Sequence, residues 1–285
     1  MNLKKQITET KLLKNQTALF YLGQVGFIIK YNDTYILIDG YLSDYVDKNC
    51  CSDTVKWIRK YPAPINGKEF DFIDYALFTH EHYDHTDPYT IRDMLCTNTK
   101  AKFIISNSIL PCLIKYGVPE ERIIGADAGK SIGLNNGIEI MPIPSAHEKL
   151  NLDSKGRYME LGYKMIFGNT KIYHSGDCCM YDGLEDKISG CDIVILPING
   201  RDYFRNKNDI IGCFDSSEAI LLAKAAKAHM IIPVHFDLYA VNEVNPAHFV
   251  DTLTKLAPKL PFHIFAPGER LEMSIKVQSK FTPNF

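Results

Sequence analysis

The segment His80-Glu81-His82-Tyr83-Asp84-His85 places three imidazoles and an aspartate, all potential ligands, within six residues. It follows directly on Phe72 to Phe78, an apolar run that reads as a buried strand. Crowding such groups into one turn is costly unless a cation neutralises them, and nitrogen with oxygen donors suits Zn, Mn or Fe. The chain has only nine histidines in 285 residues, so three in one short window set this turn apart from a polar surface loop.

Ligand-type residues recur where other predicted strands end. Asp39 closes Tyr35 to Ile38, His147 follows Ile143-Pro144-Ser145-Ala146, Asp177 ends Tyr173-His174-Ser175-Gly176-Asp177, and His235 ends Ile231 to Val234. Strand-end loops of an α/β sheet are where ligands converge, so these positions are expected to meet in one site. Ala18 to Leu22, Phe27 to Lys30 and Tyr35 to Ile38 read as a meander, broken at Gly23, Gly26 and Asn32-Asp33. Residues 43–70, with Pro62, Pro64 and Gly67, read as loop or loose helix. Asp87 caps a helix from Pro88 to Leu95; Phe103 to Ile105 is a strand and Ser108 to Tyr116 a short helix. Further strands are expected at Ile138 to Pro142, Gly162 to Ile166, Lys171 to His174 and Ile193 to Leu196. Asp215-Ser216-Ser217-Glu218 forms a capping box that opens a helix to Ala228. Strands followed by helices in both halves, with no Gly/Pro/Ser-rich linker, predict one α/β (α+β) domain over 1–285 made of two related halves.

Taken in order, Asp39, His80-Glu81-His82-Tyr83-Asp84-His85, His147, Asp177 and His235 resemble the pattern of the metallo-β-lactamase superfamily, over nearly the whole chain. The resemblance implies a four-layer αββα sandwich with two divalent metal ions at one edge between the sheets, Zn or Mn, with Fe as a further option. It implies that His80, His82 and His147 hold one ion and Asp84, His85 and His235 the second. Asp177 would bridge the two, and Asp39 would orient a ligand histidine from behind. Thr79 to Asp87, Tyr116 to Arg122, Tyr173 to Asp177 and Ile231 to Asp237 look like the L-ascorbate-6-phosphate lactonase group of that superfamily. Pro197 to Arg205 fills a loop that related lactonase-like hydrolases carry. The chain is shorter than that group, at its ends and around residues 43–70, and its third motif reads Ser145-Ala146-His147-Glu148 rather than the Gly-His-Thr form common in glyoxalase-like members.

By that resemblance the chain is expected to be a hydrolase that opens a phosphorylated sugar lactone, using a water whose pKa two ions lower to about 7. Asp84, Asp177 and water all qualify as the source of the proton for the leaving alkoxide. Arg201 and Arg205, with Asn199 beside them, suit a substrate phosphate; the alternative is ion pairing with Asp202 and Asp209. His174 reads as a hydrogen-bonded strand-end residue outside the ligand set. The other readings are a phosphodiesterase or nuclease of the same superfamily, an oxygen-reducing di-iron protein, and a non-catalytic metal-binding member. A formal net charge of −2 gives no field to draw nucleic acid or an anionic membrane. The expected partner is a small anionic substrate, with a homo-oligomer left open. Met1 to Gln16 lacks the apolar core of a secretory signal, no apolar run approaches ~18 residues, and the eight cysteines show no C-x-x-C spacing. A reducing, cytoplasmic location is therefore expected.

Overall fold

In the computed structural model, which describes residues 2–274, the strands assemble into two sheets. The seven-stranded sheet runs in the order Arg270–Ser274, Gln16–Gly23, Gly26–Tyr31, Thr34–Ile38, Tyr75–Leu77, Lys102–Ser106, Ile123–Ala126. Its pairings are antiparallel as far as Thr34–Ile38 and parallel beyond it. The six-stranded sheet runs Met230–Val234, Ile193–Pro197, Thr170–His174, Leu161–Phe167, Glu139–Pro144, Ile132–Gly133. It repeats the same division, an antiparallel part followed by parallel strands.

Successive strand side chains face opposite sides, and here both sides are covered. Leu19 and Tyr21 enter the layer between the sheets, where they meet Tyr163, Met165 and Ile195 of the second sheet. Ala18, Phe20 and Leu22 point the other way, against Ile7 of helix Leu3–Glu9 and Ile91 and Met94 of helix Pro88–Thr97. On the far side, Ala219, Ile220, Leu222 and Ala223 of helix Ser216–Ala225 pack on Val194, Leu196 and Ile231, and Phe249 and Leu253 of helix Pro246–Leu256 extend that layer. The result is helices, sheet, sheet, helices. Burial on both faces explains why the strands read as continuous apolar runs rather than alternating ones.

The capping signals behave as their chemistry requires. The Asp87 side chain accepts from Tyr89 N with Pro88 at the first helical position, and Asp215 and Glu218 form a complete capping box. The N-terminal helix is held by the buried Lys30, whose Nζ donates to the carbonyls of Ile7, Thr8 and Thr10 at 3.2, 3.1 and 2.7 Å.

Several expectations need correction. The strand expected over Phe72 to Phe78 is only Tyr75–Leu77, because the Asp74 carboxylate turns back to accept from Tyr35 N at 2.8 Å. The helix expected over Ser108 to Tyr116 is confined to Pro111–Lys115, opened by its proline. The helix expected to reach Ala228 ends at Ala225, short of Lys227 with its φ of 56°. The Pro197 to Arg205 loop runs into a short helix, Tyr203–Lys207, capped by Asp202. Helices Leu3–Glu9, Leu184–Ile188 and Pro246–Leu256 and the closing strand Arg270–Ser274 were not anticipated. Among the described residues no helix is long and apolar enough to cross a membrane.

Residues 43–70 contain helix Tyr45–Asn49 and a 3-10 turn at Gly67–Glu69, but are otherwise irregular. They are nevertheless pinned. The buried Asp87 carboxylate accepts from Leu42 N, Ser43 N, Ser43 Oγ at 2.8 Å and Thr90 Oγ1 at 2.5 Å. On the opposite side Arg59 pairs with Tyr239 as an antiparallel bridge, and Lys60 N donates to Leu238 O at 3.0 Å.

Candidate metal centre

The loops that follow Thr34–Ile38, Tyr75–Leu77, Glu139–Pro144, Thr170–His174 and Met230–Val234 bring Asp39, the His80–His85 turn, His147, Asp177 and His235 to one edge of the two sheets. Three residues at this edge, Gln24, Asp39 and His235, hold left-handed backbone with φ of 56°, 44° and 59°. Within the turn, His85 N and Thr86 N both donate to His82 O, and Thr86 Oγ1 closes back on His80 O at 2.5 Å. Gly176 lets the Asp177 loop lie against it: a Cβ there would sit 2.6 Å from Thr79 Cβ and Oγ1.

Two ligand-type groups result, each with its donor atoms within 4.8 Å of one another: His80, His82, His147 and Asp177 in the first, Asp84, His85 and His235 in the second. Asp177 reaches both. Its Oδ2 lies 3.6 Å from His147 Nε2 and 3.4 Å from His235 Nε2, and its Oδ1 lies 3.2 Å from His85 Nε2. Asp84 Oδ2 lies 3.5 Å from His235 Nε2 and 3.8 Å from His85 Nε2. Behind them the wholly buried Asp39 accepts from Thr79 N at 2.9 Å, Thr79 Oγ1 at 2.6 Å and His85 Nδ1 at 2.9 Å. His174 stays outside the set, as expected: its Nε2 donates to Val25 O at 2.8 Å and its Nδ1 accepts from Gly176 N.

The electrostatics fit a cation. His80 Nε2, His85 Nε2 and Asp177 Oδ1 are buried without a hydrogen bond, an arrangement proteins avoid unless something else engages those atoms. Burial holds His80 well below the ordinary imidazole range and takes His147 down to about 4. At His85 and His235 burial acts the same way but is outweighed. The Asp177, Asp84 and Asp39 carboxylates hold His85 well above its usual value, and Asp177 and Asp84 bring His235 up to about 9. The two carboxylates thus draw protons onto neighbouring imidazoles, supplying positive charge that a divalent ion would supply instead. Asp84 and Asp177 are themselves driven below the usual carboxylate range: burial opposes this, and the adjacent histidines prevail.

A cavity of about 210 Å³ opens above the centre. Its floor includes His82, Asp84, Asp177 and His235, and its walls include Val46, Trp57, Ile210, Ile211 and Tyr239. Among the described residues that line it, none is Lys or Arg. None of the three residues expected to contact substrate lines this cavity. Asn199 is 1% exposed and donates to Asn242 Oδ1 at 3.2 Å; Arg205 is buried and engages Asp202, Asn242 Oδ1 and Glu243 O. Arg201 faces an adjoining cavity, where its guanidinium is ion-paired with Glu218 at 2.5 Å and hydrogen-bonded to Cys213 O at 2.8 Å. Packing against carboxylates and carbonyls has already used the guanidiniums that the sequence offered to a phosphate.

Gln24 also belongs to the site. Its Nε2 donates to Asp84 Oδ2 at 2.9 Å and lies 3.1 Å from His235 Nε2, while its carbonyl accepts from His235 N at 2.8 Å. The one local signal is a lone carboxamide inside the apolar run from Ala18 to Ile29.

Near the first group, Glu160 carries a half-buried carboxyl. Its Oε1 accepts from Asn151 at 3.2 Å, its Oε2 has no partner, and burial pushes its pKa up to about 7. Its folded-state pKa therefore lies above the unfolded value of about 4.3. The ionised form weakens the fold progressively as pH rises from that value through 7. Glu160→Gln is expected to stabilise the protein by about 1 kcal/mol near pH 8, after allowing for solvent screening, with the gain shrinking towards pH 5. Urea midpoints at the two pH values check this; an equal gain at both would remove the carboxyl as its cause.

A family model described as "Beta-lactamase superfamily domain" matches residues 34–236. The chain is 24% identical over 261 residues to a UPF0173 metal-dependent hydrolase of Caldivirga maquilingensis, covering 90% of this chain and 99% of that protein. It is 26% identical over 262 residues to a UPF0173 metal-dependent hydrolase of Lawsonia intracellularis, with the same two coverages. Among solved structures it is similar to Igni18, a metallo hydrolase of Ignicoccus hospitalis, with a TM-score of 0.68 and 22% identity over 92% of this chain and 100% of that one.

Proposed function

The chain belongs to the beta-lactamase superfamily, and from that premise we propose that it is a metal-dependent hydrolase that uses two divalent ions to cleave an uncharged carbonyl ester of the lactone type. The observation that carries this reading is Asp177, one carboxylate within 3.2–3.6 Å of histidines from both ligand groups. His80, His82 and His147 would hold one ion, Asp84, His85 and His235 the other, and Asp177 both. When bound, Zn or Mn at such a pair supplies Lewis acidity that acidifies water and polarises a carbonyl.

The protein's own groups prepare that chemistry. Asp39 accepts the Nδ1 proton of His85, so the Nε2 lone pair of that ring faces the centre. Gln24 holds Asp84 by one oxygen and leaves the other free. Of the two carboxylates in the ligand groups Asp84 is the more open, its side chain 20% exposed against 5% for Asp177, and is therefore the one placed to take the proton that the attacking water releases and pass it to the leaving alkoxide. A cavity without Lys or Arg favours a neutral lactone over an anionic phosphodiester. With Arg201 and Arg205 engaged elsewhere, the phosphate of the expected sugar lactone has no anchor, and the proposal keeps the lactone without it. The eight free cysteines favour a reducing, cytoplasmic setting.

Chelation followed by reloading with Zn or Mn tests the reading. Hydrolysis of a simple lactone is expected to vanish on metal removal and return on reloading, with an activated phosphodiester turned over far more slowly. Preference for the phosphodiester would transfer the same centre to phosphoryl chemistry.

A further inference from the structure

We propose that the cavity above the metal centre selects an uncharged, apolar substituent about the size of one ring, and that Trp57 is its main specificity-determining residue. The proposal rests on the hydrolase reading above and adds the class of substrate. Apolar side chains from three separate segments converge on the cavity: Val46 and Trp57 from the pinned residues 43–70, Ile210 and Ile211, and Tyr239. Trp57 stands edge-on to the Tyr239 ring, with centroids 5.3 Å apart at 87°. The Tyr239 hydroxyl is already donated to Tyr41 Oη at 2.8 Å, with both tyrosines buried, so Tyr239 offers its ring face rather than a polar group. A cavity of about 210 Å³ has room for one ring, since about 150 Å³ of apolar space suffices for benzene.

Charge points the same way. Three of the cations near this wall are committed: Arg59 to the carbonyls of Tyr41 and Ser43, Lys60 to Glu243, Arg205 to Asp202. Asp209 lines the cavity and would repel an anionic substituent. The wall is also built rather than loose, because Asp87 ties the chain at Ser43, before Val46, and the Arg59–Tyr239 bridge holds it just after Trp57.

Three γ-butyrolactones carrying phenyl, hydrogen or carboxylate at the same carbon provide the test on Zn-loaded protein. The phenyl compound is expected to exceed the unsubstituted one in kcat/KM by about 10–100-fold, with the carboxylate below both. Trp57→Ala should collapse that ratio by about tenfold or more, while Trp57→Phe keeps most of it. Trp57 is the only tryptophan of the chain, so its emission reports the cavity without turnover. A phenyl-bearing cyclopentanone, shaped like the lactone but with no bond to hydrolyse, should change that emission saturably, and its carboxylate counterpart should not. Saturable binding of the phenyl ketone with no lactone turned over would uphold the apolar pocket and overturn the lactone reading instead. Equal kcat/KM across the three lactones, preference for the carboxylate, or no saturable emission change would overturn the pocket.

Discussion

Asp177→Ala is expected to reduce hydrolysis by about a thousandfold or more and to lower the bound metal below two ions per chain. The size follows from its position. One buried side chain faces His147 of the first group and His85 and His235 of the second, at 3.2–3.6 Å. Removing it strips a donor from both groups and takes away the leading source of the field that keeps His85 and His235 protonated without metal. Asp177→Asn is the companion variant, close in shape but without the charge. Far-ultraviolet circular dichroism should match the parent for both, since Asp177 lies on a strand-end loop rather than within a sheet. Metal analysis beside steady-state kinetics decides the matter: two ions retained with near-parental turnover would remove Asp177 from its shared role.

The second large effect is expected at Asp39, which points at no substrate. Asp39→Asn should weaken metal binding by about 10–100-fold. An asparagine oxygen can still accept from Thr79 N, but its amide would present protons to His85 Nδ1, where the carboxylate now accepts one at 2.9 Å. The ring would then carry its proton on Nε2, towards the centre, and lose its lone pair as a donor. The expected signature is a tautomer change at His85, read by nitrogen NMR, together with the weaker binding. Parental affinity with an unchanged tautomer would reduce Asp39 to a packing role.

How much of this was legible beforehand follows from the range of each interaction. The ligand groups are written locally, as donor residues at the ends of apolar runs, so Asp39, His80 and His235 could be picked out before any contact was known. The capping residues Asp87 and Asp215 are equally local, since their hydrogen bonds close within three residues. Gln24 and Asp84 lie 60 positions apart, Trp57 and Tyr239 meet from opposite halves of the chain, and no periodicity encodes either pairing. The arginines show the same limit: of their partners only Asp202, three residues from Arg205, was readable locally. Two guanidiniums in one loop suit a phosphate equally well whether they are free or taken, and Glu218, Asn242 and Glu243 that engage them come from elsewhere in the chain. The closing strand Arg270–Ser274 has only two apolar residues, Leu271 and Met273, too few for a period to stand out.

The left-handed backbone at Gln24, Asp39 and His235 has a consequence for the history of such a chain. Each of these conformations strains a residue with a Cβ by on the order of 1 kcal/mol, and glycine would relieve it. A lineage released from the need for turnover would gain stability by drifting to glycine at these three places, because marginally stable proteins accumulate such gains once nothing opposes them. Glycine at these places would therefore exchange the carboxamide, carboxylate and imidazole of the centre for a gain in stability.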